Sequence, residues 1–265
     1  MAFDTSAIRM LVDETPREEA ERFAEIVLPM AAAEAARLPS KILLPGMSAA
    51  QNQGKGYYCA SFATVALLEF KFPRKDLAEC SLIKNVKQNI GELMNFALQR
   101  GVCGEAGWPY HLKTADTKPC DDRGGGTSFS FGKTYLLYRE QRAASSASQS
   151  PEAPRAGPKS DPIRRHLATV ATPVIIDLPA LFAPDWQCGW EDGDIFCPRM
   201  LDRDKAIKWA NANKAWHAVA LHGYDDATQT FALKNSWGTG WGRAGFGSVG
   251  YLYVDQLSSI GMAAE

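Results

Sequence analysis

The residues best suited to chemistry are a thiol, an imidazole and two amides that stand far apart in the chain. Gln53 lies six positions before Cys59, and His217 and Asn235 follow far downstream. Cysteine can act as a nucleophile and histidine as a base, while amide side chains can orient the base and hold an oxyanion. In this order, these residue types are the parts of a site for cysteine-based acyl transfer.

Cys59 follows a segment with two glycines, residues 53–58, and opens an apolar stretch with helical spacing. This pattern predicts a buried helix over 59–70 with Cys59 in its first turn. A helix N-terminus and a neighbouring imidazolium can lower the pKa of a thiol from ~8.5 to ~3–4. The sequence therefore predicts that Cys59 is an ionised nucleophile rather than one more core cysteine.

The predicted base is His217. His217 and His222 lie five positions apart on a predicted strand, so their side chains face opposite sides and at most one enters the site. Small residues follow His217 and leave room for a helix, whereas His222 precedes a Gly-Tyr pair and is read as structural. His111 and His166 are placed in loop or surface settings.

Asn235 directly follows a predicted strand over 229–234. Its amide can accept a hydrogen bond from one imidazole nitrogen and leave the other nitrogen facing the sulfur. Trp237, two positions on, would shield that bond from water. Trp237 and Trp241 also fit plain turn and packing elements, which is the alternative reading for both.

Four blocks of the sequence closely resemble those of papain-like cysteine peptidases. The resemblance covers about residues 39–255. Three blocks are similar to the signature blocks of the family, and the fourth is similar to a block of its bacterial members: NQGKGYYCASFA (52–63), WHAVALHGY (216–224), KNSWGTGWG (234–242) and GVCGEAGWPY (101–110).

The resemblance implies an α+β, two-lobed papain-like fold with the active-site cleft between the lobes. The helical lobe is expected at about 50–125 and an antiparallel, β-barrel-like lobe at about 126–255. By motif position, Cys59 is the nucleophile, His217 the base, Asn235 its orienter and Gln53 the oxyanion donor. Trp237 and Trp241 are expected to support the site or bind substrate.

Three departures from the family pattern concern the surroundings of the nucleophile. Ala60 stands where the family usually has tryptophan, and Gly56 stands where a disulfide-bonded cysteine is common. The cleft-lining Cys-Asn-Gly-Gly segment of many members has no counterpart, and Gly91 is the residue expected nearest to its place. The chemistry implied by the resemblance is unaffected, but the side-chain preference for substrates is not predicted.

The expected function is a cysteine endopeptidase that works through a thiolate–imidazolium pair and an acyl-enzyme, without metal or organic cofactor. Its expected partners are protein or peptide substrates and a proteinaceous inhibitor. An acyltransferase or amidase on the same scaffold, or a non-catalytic papain-like module, is the alternative. A non-catalytic module would be expected to lack Cys, His or Asn at the site, and none is lost here.

Motifs for other chemistries are incomplete. Gly132-Lys133-Thr134 resembles the end of a phosphate-binding loop, but Thr127 occupies the position that requires glycine. The chain has no Gly-x-Ser-x-Gly elbow of a serine hydrolase. It also lacks the Cys-x-x-Cys and His-x-x-x-His spacings of zinc sites, so no metal site is predicted.

Composition limits the function classes further. The 265 residues are 46% hydrophobic and 22% charged, which is typical of an ordinary globular protein. A net charge of −1 gives no field to attract nucleic acid or a membrane surface. No apolar stretch approaches the ~20 residues that span a bilayer. Without a visible secretion signal, the expected location is the cytoplasm or export by a non-classical route.

The six cysteines leave several pairings open. Cys103 with Cys120, and Cys188 with Cys197, could each close a short loop. The preferred expectation is that all cysteines are reduced, since no export signal is visible.

The remaining pattern gives the expected domain plan. A helix over 15–38 within residues 1–38 would be a structural arm or an inhibitory leader, and residues 256–265 a C-terminal tail. Residues 141–161 are rich in Ser, Ala and Pro and predict a mobile insertion. Further helices are predicted at about 90–100 and 162–168, and strands at 173–178, 216–222, 229–234 and 246–253.

Overall fold

The protein is described by a computed structural model that covers residues 24–27, 37–111, 120–121, 124–140, 158–182 and 186–265. The helices are α1 (Cys59–Lys71), α2 (Cys80–Ile83), α3 (Ile90–Gln99), α4 (Ser160–Thr169), α5 (Arg203–Asn213) and α6 (Tyr251–Leu257). The strands are β1 (Ala24–Ile26), β2 (Lys41–Leu43), β3 (Val102–Cys103), β4 (Ser128–Phe129), β5 (Thr134–Arg139), β6 (Val174–Pro179), β7 (Asp194–Ile195), β8 (Trp216–Asp225), β9 (Thr230–Lys234), β10 (Phe246–Gly250) and β11 (Ile260–Ala264).

Most strands of a large sheet follow the first three helices in the chain, and β1 and β2 precede them. Within the described residues its strand order is β1-β5-β11-β6-β8-β9-β10-β7, and β2 also pairs with β8. The two outer strands, β1 and β7, do not pair with each other, so the sheet is open rather than a closed barrel. The predicted α+β class is confirmed, although β1 and β2 precede the helices in the chain and still join the sheet.

Helix α1 and strand β8 form the contact that matters most for the site. Ala218 and Ala220 of β8 share a hydrophobic cluster with Ala63 and Cys59 of α1. Because these side chains are small, the helix can approach the strand closely. The alternate residues of β8, Val219 and Leu221, pack into a second cluster on the other face of the sheet. Both faces of β8 are therefore buried.

Several predicted elements are confirmed with small shifts. Helix α1 includes the predicted range 59–70, and α4 includes the predicted range 162–168. Helix α3 ends one residue before the predicted range 90–100 does. The side chain of Asn89 accepts a hydrogen bond from the Glu92 backbone N–H at 2.7 Å and so caps α3. Gly101 follows that helix at a φ of 72°, a conformation that favours glycine.

The helix predicted over 15–38 is wrong where it can be compared. Ala24–Ile26 form strand β1, which pairs in parallel with β5, and Glu25 forms an ion pair with Lys133. Sheet pairing here overrides the local helix propensity of an Ala- and Glu-rich segment. Val27, Arg37 and Leu38 are also described and are not helical, whereas residues 15–23 and 28–36 and most of the predicted insertion at 141–161 lie outside the described residues.

The chain's end also differs from the expectation. Residues 256–265, read as a tail, contain the buried strand β11, which pairs with both β5 and β6. Tyr251 to Tyr253, read as the end of a strand, instead begin helix α6. In β11 a Cβ at Gly261 would lie 2.4 Å from the Tyr138 ring, so glycine is needed at this close approach.

The cysteine pairing differs from both predicted pairs and from the preferred reduced state. Cys80 and Cys120 form a disulfide across a sequence separation of 40 residues, while Cys59, Cys103, Cys188 and Cys197 are free thiols. An isolated bridge joins Tyr110 to Cys120 and so brings Cys120 to the loop beside α2. The packing of distant segments, rather than a short spacing along the chain, therefore determines which cysteines pair.

His166 provides a test of how burial affects stability. It is 3% exposed, and its Nε2 lies 2.8 Å from Thr172 Oγ1. Burial lowers the pKa of His166 to about 4, against a slight raising effect of Glu265. The unfolded chain therefore binds this proton first, and the stability that neutral His166 contributes is lost as the pH falls from about 6.5 towards 4.

Between pH 7 and pH 5, the free energy of unfolding should fall by about 2 kcal/mol less in His166→Gln than in wild type. Urea unfolding of both proteins at the two pH values measures the difference. His111→Gln, a change at a half-exposed histidine, is the control and should follow the wild type. An identical pH dependence in His166→Gln and wild type would contradict the assignment.

Candidate active site

Cys59 is the first residue of α1 and is 4% exposed. The backbone N–H of Ala218, the residue after His217, acts on its thiol as a hydrogen-bond donor. Packing of α1 against β8 thus brings the predicted nucleophile beside the segment that carries the predicted base.

His217 is fully buried and is oriented by Asn235. Nε2 of His217 lies 2.6 Å from Oδ1 of Asn235. Since an amide oxygen can only accept, Nε2 carries the proton and Nδ1 keeps a free lone pair. Nδ1 is buried and has no hydrogen-bond partner among the described residues, so it is not yet bonded to the thiol. The arrangement leaves one basic nitrogen available.

Tryptophan rings surround the His217 ring, which is bonded to Asn235. The Trp237 ring lies over the His217 ring, with centroids 4.4 Å apart and planes at 32°. Trp190 meets the His217 ring edge-on at 5.9 Å, and Trp241 packs edge-on against Trp237 at 5.6 Å. The indole N–H of Trp241 donates to the Trp190 carbonyl at 2.7 Å. Water is thereby kept away from the bond between His217 and Asn235.

Gln53 lies beside Asn235 because their segments pair. The Gln53 backbone N–H donates to the Ser236 carbonyl at 2.8 Å, and the Ser236 hydroxyl donates to Gln53 Oε1 at 2.6 Å. Gln53 Nε2 donates one hydrogen to the Gly56 carbonyl at 2.7 Å, which leaves its second hydrogen available. The Tyr110 hydroxyl donates to the Gln53 carbonyl at 2.6 Å. The side chain is therefore held rigidly.

The charge states differ from the sequence expectation. Burial raises the pKa of the Cys59 thiol to about 12, although the backbone N–H groups of Ala218, Ala60 and Cys59 lower it. Burial lowers the pKa of His217 to about 4, although its bond to Asn235 raises it. Both groups are thus neutral near pH 7. The helix N-terminus is present as predicted, but desolvation outweighs it.

The departures from the family pattern have local explanations in part. A Cβ at Gly56 would lie 2.3 Å from the Tyr58 ring, so that ring occupies the space of a larger side chain. Gly91 is the second residue of α3 and is buried. It does not line the cavity beside the site, and its predicted substrate contact stays a prediction.

A small cavity lies between α1 and the ends of β8 and β9. Its lining comprises Gln51, Phe62, Ala63, Ala66, Glu69, Glu79, Ala218, Lys234, Asn235 and Ser236. Over the residues that the structure describes, no cluster of His, Cys, Asp and Glu is arranged to hold a metal ion. In the same residues, no helix combines the length and apolar character needed to cross a bilayer.

Sequence comparison gives one match to a known family. Residues 204–257 match the model of the papain family cysteine protease. This segment contains three residues of the candidate site, His217, Asn235 and Trp237. No curated protein sequence matches the chain.

The fold is that of papain-like proteases. Xylellain, a cysteine protease from Xylella fastidiosa, has a TM-score of 0.67 at 18% identity, over 98% of this chain and 96% of that one. A Carica candamarcensis cysteine protease in complex with E-64 has a TM-score of 0.55 at 17% identity, over 86% and 98%. The procathepsin L2 proteinase of Tenebrio molitor has a TM-score of 0.62 at 15% identity, over 100% and 84%.

At these identities the structural likeness establishes the fold, and the family model adds the segment around His217 and Asn235. The predicted resemblance to papain-like cysteine peptidases is confirmed, for the whole fold by the solved structures and for residues 204–257 by the family model.

Sequence reasoning missed several supporting residues, among them Trp190, which packs against the His217 ring. Ser236 holds Gln53, Lys234 reaches across to α1, and Glu69 of α1 receives it. Ser236 and Lys234 flank Asn235 inside a block that the sequence had singled out, which was the available signal. Glu69 carried no signal, since its partner lies far away in the chain.

Proposed function

We propose that this protein is a cysteine-type endopeptidase in which Cys59 attacks the peptide carbonyl and His217 moves the proton. The observation that carries the proposal is the 2.6 Å bond from His217 to Asn235, which fixes Nε2 as the protonated nitrogen. Nδ1 is then the base, and Ala218, the residue after His217, packs in the same buried cluster as Cys59. We also propose that its substrates are proteins or peptides and that a proteinaceous inhibitor binds the same site.

Acylation begins with proton transfer from Cys59 Sγ to His217 Nδ1. Burial penalises a lone thiolate and a lone imidazolium, but transfer creates both charges together and their attraction offsets the penalty. Sγ then forms a bond to the carbonyl carbon, and the carbonyl oxygen takes the electron pair. The free N–H of Gln53 and the backbone N–H of Cys59 stabilise that oxyanion.

The tetrahedral intermediate collapses by breaking the C–N bond. His217 gives its proton to the leaving amine, and the acyl group remains on Cys59 as a thioester. A water molecule then attacks the thioester while His217 takes its proton. Release of the carboxylic acid returns the thiol and the neutral imidazole. Replacement of water by another acceptor would make the same site a transferase.

The test of this proposal is incubation with a diverse peptide pool followed by mass spectrometry. An endopeptidase yields internal fragments with new carboxyl and amino termini. A transferase yields products joined to an acceptor, and an amidase yields loss of side-chain or terminal ammonia. Intact peptides after long incubation would contradict all three activities.

Gln53→Ala should lower kcat about 10²-fold with little change in KM, because its N–H contacts the oxygen only once the charge develops. Steady-state cleavage of a peptide identified in the pool measures this. Gln99→Ala, at the exposed end of α3, is the control and should behave as wild type. An unchanged kcat in Gln53→Ala would remove Gln53 from the oxyanion site.

A further inference from the structure

Three consecutive residues at the end of β9 reach three different parts of the molecule. Asn235 binds His217, Ser236 binds Gln53, and Lys234 extends to α1, the helix that begins at Cys59. The first two contacts belong to the proposed catalytic machinery. The third has no role in the chemistry described so far.

Lys234 ends in a buried polar cluster. Its Nζ donates to Ser48 Oγ at 2.6 Å and lies 3.8 Å from Glu69 Oε2. The Ser48 hydroxyl in turn donates to Glu69. The side chains of Lys234 and Glu69 are only 5% and 3% exposed. A buried ion pair of this kind is a costly way to gain stability, but it can specify one geometry.

The cluster joins the strand that precedes Asn235 to the helix of the nucleophile. Glu69 lies ten residues after Cys59 on α1, about 15 Å along the helix axis. Its second oxygen accepts from the Leu77 backbone N–H at 3.1 Å, so the carboxylate is itself anchored in the helical part. Lys234 therefore links the two halves on which the nucleophile and the base are carried.

Asn235 depends on such a link. Its Oδ1 accepts from His217 and from the Ser236 backbone N–H, while its Nδ2 is buried without a partner among the described residues. The amide is thus held from one end only. Its position is set mainly by the backbone, and the side chains of both neighbours are held: Ser236 is bonded to Gln53, and Lys234 is bonded to Ser48 and paired with Glu69.

We propose that Lys234 is a positioning residue, which through Ser48 and Glu69 fixes Asn235 and the His217 imidazole relative to Cys59. This inference rests on the proposed cysteine peptidase chemistry. Burial lowers the pKa of Lys234, while the nearby carboxyl groups of Glu69, Glu79 and Asp76 raise it. Burial likewise raises the pKa of Glu69, and Ser48 and Lys234 lower it.

The test compares Lys234→Met, Glu69→Gln and the double variant that carries both changes. Glu69→Gln keeps an oxygen for Leu77, and the double variant removes both charges of the ion pair. We expect Lys234→Met to lower kcat about 10- to 100-fold with KM within about twofold, as expected for a small misplacement of catalytic groups. The double variant should recover the melting temperature but keep the lowered kcat.

Alkylation of Cys59 by iodoacetamide gives a second readout that needs no substrate. In wild type, neutral His217 can take the thiol proton while the thiol attacks the reagent, so the alkylation rate at pH 6 should stay close to the rate at pH 9. We expect this ratio to fall at least about tenfold in Lys234→Met and in the double variant. A purely structural role would change the fraction of reactive protein but not the ratio.

Lys41→Met is the matched control, because Lys41 forms an exposed ion pair with Asp225 of β8 at 2.8 Å. It should leave both readouts unchanged. Wild-type kcat and alkylation ratio in the double variant would overturn the proposal. If Lys234→Met does not fold, the double variant decides alone. Absence of peptide cleavage by wild type would contradict the peptidase function, while the alkylation ratio would still test Lys234.

Discussion

Cys59→Ala removes peptide cleavage and all labelling of the site by thiol-directed inhibitors. The expected loss in kcat is at least about 10⁴-fold, because no other group at this position can form the thioester. The fold should survive, since alanine already occupies several neighbouring positions in the same cluster. Steady-state kinetics, inhibitor labelling read by intact mass and a thermal melt measure these effects.

Cys197→Ala is the matched control for this result. Cys197 is a partly exposed free thiol away from the helix that carries Cys59. Its loss should leave both cleavage and the labelling of Cys59 intact. Residual cleavage by Cys59→Ala, at the wild-type rate or near it, would remove the nucleophile from the proposed mechanism.

His217→Ala should lower kcat about 10⁴-fold as well, because the buried thiol then has no base to take its proton. The acid limb of kcat/KM in wild type should lie near pH 4, where His217 becomes protonated and can no longer accept the thiol proton. The pH profile of wild type and the single-pH rate of the variant are the two measurements.

His222→Ala separates the base from a merely buried histidine. His222 is also buried, and its ring packs edge-on against Phe246 at 5.6 Å rather than against Trp237. Burial lowers its pKa to about 4, as it does for His217. The variant should keep kcat within about threefold of wild type. An equal loss from both substitutions would contradict the choice of His217.

The arrangement of the candidate site could be predicted from the sequence where its residues carry local signals. Cys59 opens an apolar stretch with helical spacing, and small residues follow His217 on a strand. Both features concern neighbours in the chain, and both correspond to the observed packing of α1 against β8. The choice between His217 and His222 rested on the same local argument, and the structure places only His217 beside Asn235 and Trp237.

Contacts between distant segments could not be predicted in this way. The Cys80–Cys120 disulfide and the contact between Lys234 and Glu69 depend on how the segments pack, and spacing along the chain does not encode either one. Strand β11 was missed because Gly261 and its alanines lack the alternation of large apolar residues that marks a strand. The close approach of Tyr138 explains why a small residue is required there.

The thiol pKa shows a limit of a different kind. A helix N-terminus at Cys59 could be predicted from its position, and that prediction is confirmed. The extent of burial depends on every segment that packs around the thiol. Burial then decides the direction of the shift, so the expected lowering is not found.

One measurement tests the central claim most directly. An ester substrate that deacylates slowly is mixed with the protein, the reaction is quenched in acid, and the intact mass and peptide map are recorded. We predict a single added acyl group, carried by the peptide that contains Cys59. An unmodified protein that still turns the ester over, or an acyl group on any other residue, would contradict the account.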